Sequence, residues 1–185
     1  MTNERACGPI LIRHATPADA EAISQLVNSA YRGDSSRAGW ATEADLLGGQ
    51  RTDAAAILEF LHGSDALQRV IPVLFDSDGT LLACLQLERD GAEAYLGQFA
   101  VSPTRQGAGL GRTLLTEAEE HARSHWRCQA MRMTVLEQRP ELIAWYARCG
   151  YLPTGETVAF PYDDIRCGDP RRPDLRLRVL RKPLD

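Results

Sequence analysis

The sequence predicts an α+β domain organised on a mixed sheet, and three observations carry that prediction. Apolar runs between residues 68 and 101 are punctuated by Asp78-Gly79 and Asp90-Gly91, the turn chemistry of an antiparallel meander. Gln106-Gly107-Ala108-Gly109-Leu110-Gly111 then leads from a strand straight into an amphipathic helix. Beyond that helix, Met131 to Leu136 reads as another strand, which a right-handed crossover makes parallel to Ala94 to Val101.

Taken in order, Ile10 to Arg13 is a short apolar strand, and Thr16-Pro17-Ala18-Asp19 signals a helix start. Thr16 suits the N-cap, Pro17 the first helical position, and Asp19 the positive end of the dipole. Ile23, Leu26, Val27 and Ala30 supply the buried stripe. From Tyr31 to Thr52 the periodicity stops, yet Trp40, Leu46 and Leu47 argue against disorder. Two readings of that loop stay open: a surface segment whose Trp40 covers core, and a substrate-binding loop. Asp53 to His62 reads as a helix capped by Thr52, with Ile57, Leu58 and Leu61 on one side. Gln68 to Phe75 and Leu81 to Glu88 form a hairpin, in which Pro72 demands a bulge or an unpaired neighbour. In the helix after the glycine loop, Leu110, Leu114, Ala118 and Ala122 recur at four-residue steps. Leu142 to Cys149 is a short helix ended by Gly150, Tyr151 to Phe160 is partly extended, and residues 161–173 are polar loop. Leu175 to Leu180 alternates as a half-buried strand.

Composition bounds the function. The 185 residues, 44% hydrophobic and 25% charged, suit one globular domain over 1–185 with an ordered core from about residue 10 to residue 182. A net charge of −4 argues against a nucleic-acid partner. No apolar run approaches the ~20 residues of a membrane span, and the N-terminus lacks a signal-peptide core, so a cytoplasmic protein away from the membrane is expected. The five cysteines are odd in number and show no CxxC pair, which predicts reduced thiols and no metal.

The chemistry concentrates at the glycine loop. Glycines that bare backbone N–H groups at a helix start make an anion site. A P-loop would end in Gly-Lys-Ser/Thr, but the one lysine is Lys182; a dinucleotide fingerprint needs GxGxxG, and Arg112 and Leu114 stand where its last glycine belongs. What fits is Q-x-x-G-x-G. Here the chain resembles the GNAT superfamily of acyl-CoA-dependent N-acyltransferases: LGQFAVSPTRQGAGLGRTLL is similar to that family's acetyl-CoA motif, and LIAWYARCGYLPTGE to its second motif. The resemblance implies a mostly antiparallel mixed sheet with helices on both faces and a splayed parallel strand pair. It implies acetyl-CoA as co-substrate, with the pyrophosphate on the amides of Gln106, Gly107, Ala108, Gly109, Leu110, Gly111 and Arg112. Pantetheine, a peptide mimic, would pair along the backbone of Phe99, Ala100 and Val101.

By the same resemblance Tyr146 is the general acid that protonates the departing thiolate. The base is less marked, with Glu137 and Glu43 as candidates and a water chain as the substitute. Arg139 stands where the family often has a cofactor-contacting Asn; a guanidinium there would bind a carbonyl, a phosphate or an acceptor carboxylate, or pair with Glu141. The expected acceptor is a small-molecule primary amine entering beneath the loop, near Tyr31, Arg32, Trp40 and Glu43. Arg32, Arg37 and Arg139 favour an anionic amine, Asp34, Glu43 and Asp45 a cationic one. The alternatives are a non-catalytic acyl-CoA-binding regulatory domain and a peptide N-terminal acetyltransferase. A homodimer is common in this resemblance, with the Leu175 strand as a candidate participant.

Overall fold

The structure, a computed structural model, describes residues 9–63 and 65–185. Cys7 lies outside the described residues. Strand β1 (Leu11–His14) is followed by helix α1 (Ala20–Tyr31), single-turn α2 (Gly33–Ser36), β2 (Leu47–Gly48) and α3 (Ala54–His62). The meander comprises β3 (Arg69–Val70), β4 (Pro72–Phe75), β5 (Leu81–Asp90) and β6 (Glu93–Val101). Helix α4 (Leu110–Ser124), β7 (Ala130–Leu136) and α5 (Pro140–Arg148) come next, then β8 (Leu152–Ala159), β9 (Asp169–Pro170) and β10 (Arg176–Pro183).

The central sheet runs β1-β4-β5-β6-β7-β10-β8, with β3 pairing β5 beside this path. Only β6 and β7 pair in parallel; the rest is antiparallel. Helices cover both faces, as the class predicts. Ile23 and Val27 of α1 and Ile57 of α3 pack on Val73 and Cys84, while Leu114 and Ala118 of α4 pack on Leu85, Leu87 and Met133. Leu114 is fully buried, which is worth roughly 1.5–3 kcal/mol. Among the described residues no helix is long and apolar enough to cross a membrane.

Three local expectations change, and the one for Pro72 holds in its unpaired neighbour. The cap of α3 is Asp53, whose Oδ1 accepts the Ala56 N–H at 2.8 Å, so Thr52 is buried instead. A carboxylate there answers the dipole as well as an orphan amide, which a hydroxyl cannot do. Pro72 is resolved by breaking the strand: Ile71 leaves the ladder with β5, its carbonyl takes the Ala15 N–H at 2.8 Å, and Pro72 opens β4. The 31–52 loop contains α2 and a strand, β2, which pairs with β9. Finally, β10 is hydrogen-bonded on both sides, to β7 and β8, so the Leu175 segment offers no free backbone edge for a second copy. The edge strands at the two ends of the sheet are β1 and β8.

The α1 entrance is held by Asp19, whose carboxylate accepts both Arg13 guanidinium N–H groups at 2.8 Å, the Thr16 N–H at 2.7 Å and the Thr16 hydroxyl at 2.9 Å. The Arg13 bond first, then Thr16, holds this carboxyl well below the usual carboxylate range against the opposing effect of burial. Asp19→Asn is expected to cost about 1–2 kcal/mol at neutral pH. A depressed folded value means this stability is present above the unfolded carboxylate value and is lost as pH falls through the folded one. In chemical denaturation, the gap between wild type and variant therefore closes only below about pH 4.

Candidate active site

The site begins with a local fault in β6. Cys84 opposes Ala100 and Gln86 opposes Gly97, so two steps on β5 face three on β6. The extra residue is a bulge at Gln98, which has φ +33°. A bulge bends and twists its strand, and β6 accordingly pairs with β7 only from Glu93 to Tyr95. Beyond that point the two parallel strands splay. Because Ser102 N–H bonds Leu82 O at 2.8 Å, alternation turns the peptide groups of Phe99 and Val101 away from β5, toward the opening. Their carbonyls are met there by side chains: the Tyr31 hydroxyl donates to Phe99 O, and Gln106 Nε2 donates to Val101 O at 3.1 Å.

The glycine loop lies just beyond. Gly107 at φ +86° and Gly109 at φ +81° take left-handed conformations, and Gly109 serves as the N-cap of α4 with no side chain bonded to the first-turn amides. Those N–H groups are bare, and the helix dipole makes their neighbourhood positive. Gly111 permits close approach of the opposite wall: a Cβ there would stand 3.4 Å from Val101, 3.5 Å from Phe99 and 3.6 Å from Trp145. The resulting cleft, about 510 Å³, runs from Gly107, Gly109 and Arg112 past Phe99, Trp40 and Trp145 to Tyr146. Its bare amides, narrow apolar midsection and open strand edge fit a ligand with a pyrophosphate head and a pantetheine arm.

A second cleft, about 330 Å³, opens in the wedge between β6 and β7 and contains Glu43, Arg51, Gln98 and Thr134. Tyr31, Phe99, Leu142 and Tyr146 line both clefts and form the wall between them. Burial, reinforced by Tyr31 and Cys149, pushes the Tyr146 phenol well above its ordinary value, and burial pushes Tyr31 up to about 12. Both hydroxyls therefore keep their protons at neutral pH.

The remaining predicted residues divide. Gln106 and Leu110 line the first cleft, whereas Ala100 packs in the core beneath α1, and Ala108 is not among the described lining residues. Gln106 also uses its side chain, accepting the Trp40 N–H at 2.9 Å and so tying the long loop to the strand end. Arg139 is buried outside both linings; its guanidinium reaches Ala41 O and Trp40 O, each at 3.1 Å, and Glu141 at 2.5 Å. Glu137 also lies outside both linings and pairs with Arg178. Glu43 is buried between Arg32, at 2.6 Å, and Arg51, at 3.2 Å. Burial alone would raise its carboxyl, but Arg51 and Arg32 outweigh that and hold it below the usual range. Sequence reasoning missed Arg51 and Gln98. Gly97-Gln98 within an apolar strand was the available bulge signal.

Comparison identifies the family to which this fold belongs. Residues 20–151 match the model of the acetyltransferase (GNAT) family, and the chain belongs to that family. No curated protein matches the sequence significantly. Among solved structures, a protein provisionally assigned as a phosphinothricin N-acetyltransferase is 16% identical with TM-score 0.70, the match covering 96% of this chain and 99% of the other. A variant of spermidine N-acetyltransferase SpeG from Vibrio cholerae is 14% identical with TM-score 0.67, covering 95% and 94%. At these identities the likeness is one of fold.

Proposed function

We propose that the protein is an N-acetyltransferase that carries the acetyl group of acetyl-CoA to the primary amine of a small molecule, by direct attack in a ternary complex. The observation that carries this reading is Tyr146 in the wall shared by the two clefts. The amides at Gly107, Gly109 and the start of α4 hold the pyrophosphate, and the Phe99 to Val101 backbone aligns the pantetheine arm. When bound, the co-substrate supplies the thioester carbon. The amine nitrogen bonds to that carbon, the carbon–sulfur bond breaks, Tyr146 gives its proton to the departing sulfur, and the nitrogen, on becoming an amide, returns a proton to Tyr146. An N–H of the opened strand faces the developing oxyanion. Because Glu43 is held by two guanidiniums and Glu137 lies outside both clefts, the ammonium proton leaves to water through the second cleft. Arg139 positions the loop by its carbonyls. Four free cysteines among the described residues support a reducing, cytoplasmic setting.

The reading is tested by following free thiol from acetyl-CoA in the presence of pooled amines. Amine-dependent release is expected. Tight acetyl-CoA binding without it favours the second reading, a non-catalytic acyl-CoA sensor, which the engagement of Glu43 by Arg32 and Arg51 supports. Gly111→Val pushes methyl groups into the narrow midsection and is expected to weaken acetyl-CoA binding at least about tenfold by calorimetry.

A further inference from the structure

Resting on the acetyl-transfer reading, we propose that the acceptor carries its own carboxylate: it is an amino acid with an apolar side chain, its carboxylate on Arg51 and its amino group toward Gln98 and Tyr146. The charges of the second cleft lead there. Glu43 is the one carboxylate among its described lining residues, and it is already paired at 2.6 Å by Arg32. Arg32 and Arg51 against Glu43 leave one positive charge over. That surplus sits on Arg51, which shares Glu43 at the longer distance of 3.2 Å, stacks its guanidinium 4.9 Å above the Tyr31 ring and remains 28% exposed. A planar guanidinium with unused N–H groups at the wall of a cleft matches a carboxylate bidentately.

A second residue of the cleft asks for a donor. Gln98 Oε1 is buried without a hydrogen-bond partner, on the bulge that opens the wedge. An acceptor atom in that state is relieved by an incoming N–H. Tyr95 and Thr134 satisfy each other at 2.8 Å, so they make no competing demand. Leu47, Leu136 and Phe160, drawn from one buried cluster, give the same cleft an apolar part of its wall. A polycation meets the surplus positive charge, and a simple alkylamine leaves Arg51 unmatched.

The test uses the full chain, acetyl-CoA, the proteinogenic L-amino acids, their methyl esters and spermidine, with thiol release as the readout. The expected result is that an amino acid with an apolar side chain is acetylated with kcat/KM about 30-fold above its own methyl ester, the fold-change of one charge-assisted contact. In Arg51→Lys, which keeps the charge and loses the fork, that ratio falls to about threefold or less. The ratio is taken within each variant, so loss of folded protein cancels. A ratio unchanged in Arg51→Lys makes Arg51 merely structural and overturns the assignment. Preference for spermidine, or equal rates for acid and ester, overturns the acceptor class and leaves acetyl transfer standing. Release with none of the amines, from protein that binds acetyl-CoA, overturns both.

Discussion

Tyr146→Phe is expected to lower kcat by about 100-fold and to leave acetyl-CoA affinity within about twofold of wild type. The hydroxyl is the only group removed, and the ring keeps its neighbours: Trp145 at 5.0 Å, Tyr151 at 5.9 Å and Phe99 at 6.5 Å between centroids. Packing therefore survives, and the loss reports proton delivery alone. Because burial keeps the phenol protonated, wild-type activity shows no fall with rising pH that is traceable to this residue until well above its ordinary range. Pre-steady-state turnover with acetyl-CoA and any accepted amine decides the matter. Equal single-turnover rates in the variant remove Tyr146 from the chemistry.

Glu43→Leu is expected to destabilise the protein by about 3–5 kcal/mol, the usual result of stripping one partner from a buried ion pair. Arg32 is 6% exposed, and two of its nitrogens, Nε and Nη2, have no hydrogen-bond partner, so Glu43 is its main compensation. Without that carboxylate a cation is stranded beneath the loop. The melting temperature should fall by about 6–20 °C for a chain of this size. Replacing both partners, Arg32→Met with Glu43→Leu, should recover most of the loss, since the desolvation cost disappears together with the attraction. Thermal unfolding of the two single variants and the pair measures this. A drop below about 1 kcal/mol in Glu43→Leu would show that water reaches the pair.

What the chain discloses about itself depends on how local each signal is. The glycine loop is dense and contiguous, six residues whose conformational demands can be read one by one, and the helix it starts has its stripe at fixed steps. The meander is legible for the same reason, since Asp-Gly turns act within four residues. The ion-paired core of the long loop is not. Arg32, Glu43 and Arg51 stand 11 and 8 positions apart, and each alone reads as a solvated charge until the fold closes around them. The start of α5 at Pro140 is a smaller case. Proline suits the first turn, but its placement two residues ahead of the apolar run depends on Arg139 being anchored to a loop ninety-eight residues away. Motif spacing points to Arg139 as a cofactor contact, but it lies outside both clefts, and the two backbone carbonyls it holds carry no sequence signature at all.

The bulge at Gln98 does more than separate β6 from β7. Ala94 and Leu96 belong to the core under α4, and an unbroken alternation would send residues 98 and 100 after them. Instead Phe99 and Val101 pack against that core and Ala100 joins the one beneath α1. One inserted residue has reversed the parity of the strand. The same chain thus presents even-numbered side chains to α4 at one end and odd-numbered ones at the other. Deleting Gln98 would leave Phe99 and Val101 on the α4 side, straighten the strand and return its edge to β7, closing the wedge. Length changes in β6 are therefore closed to this protein in a way that length changes in its surface loops are not.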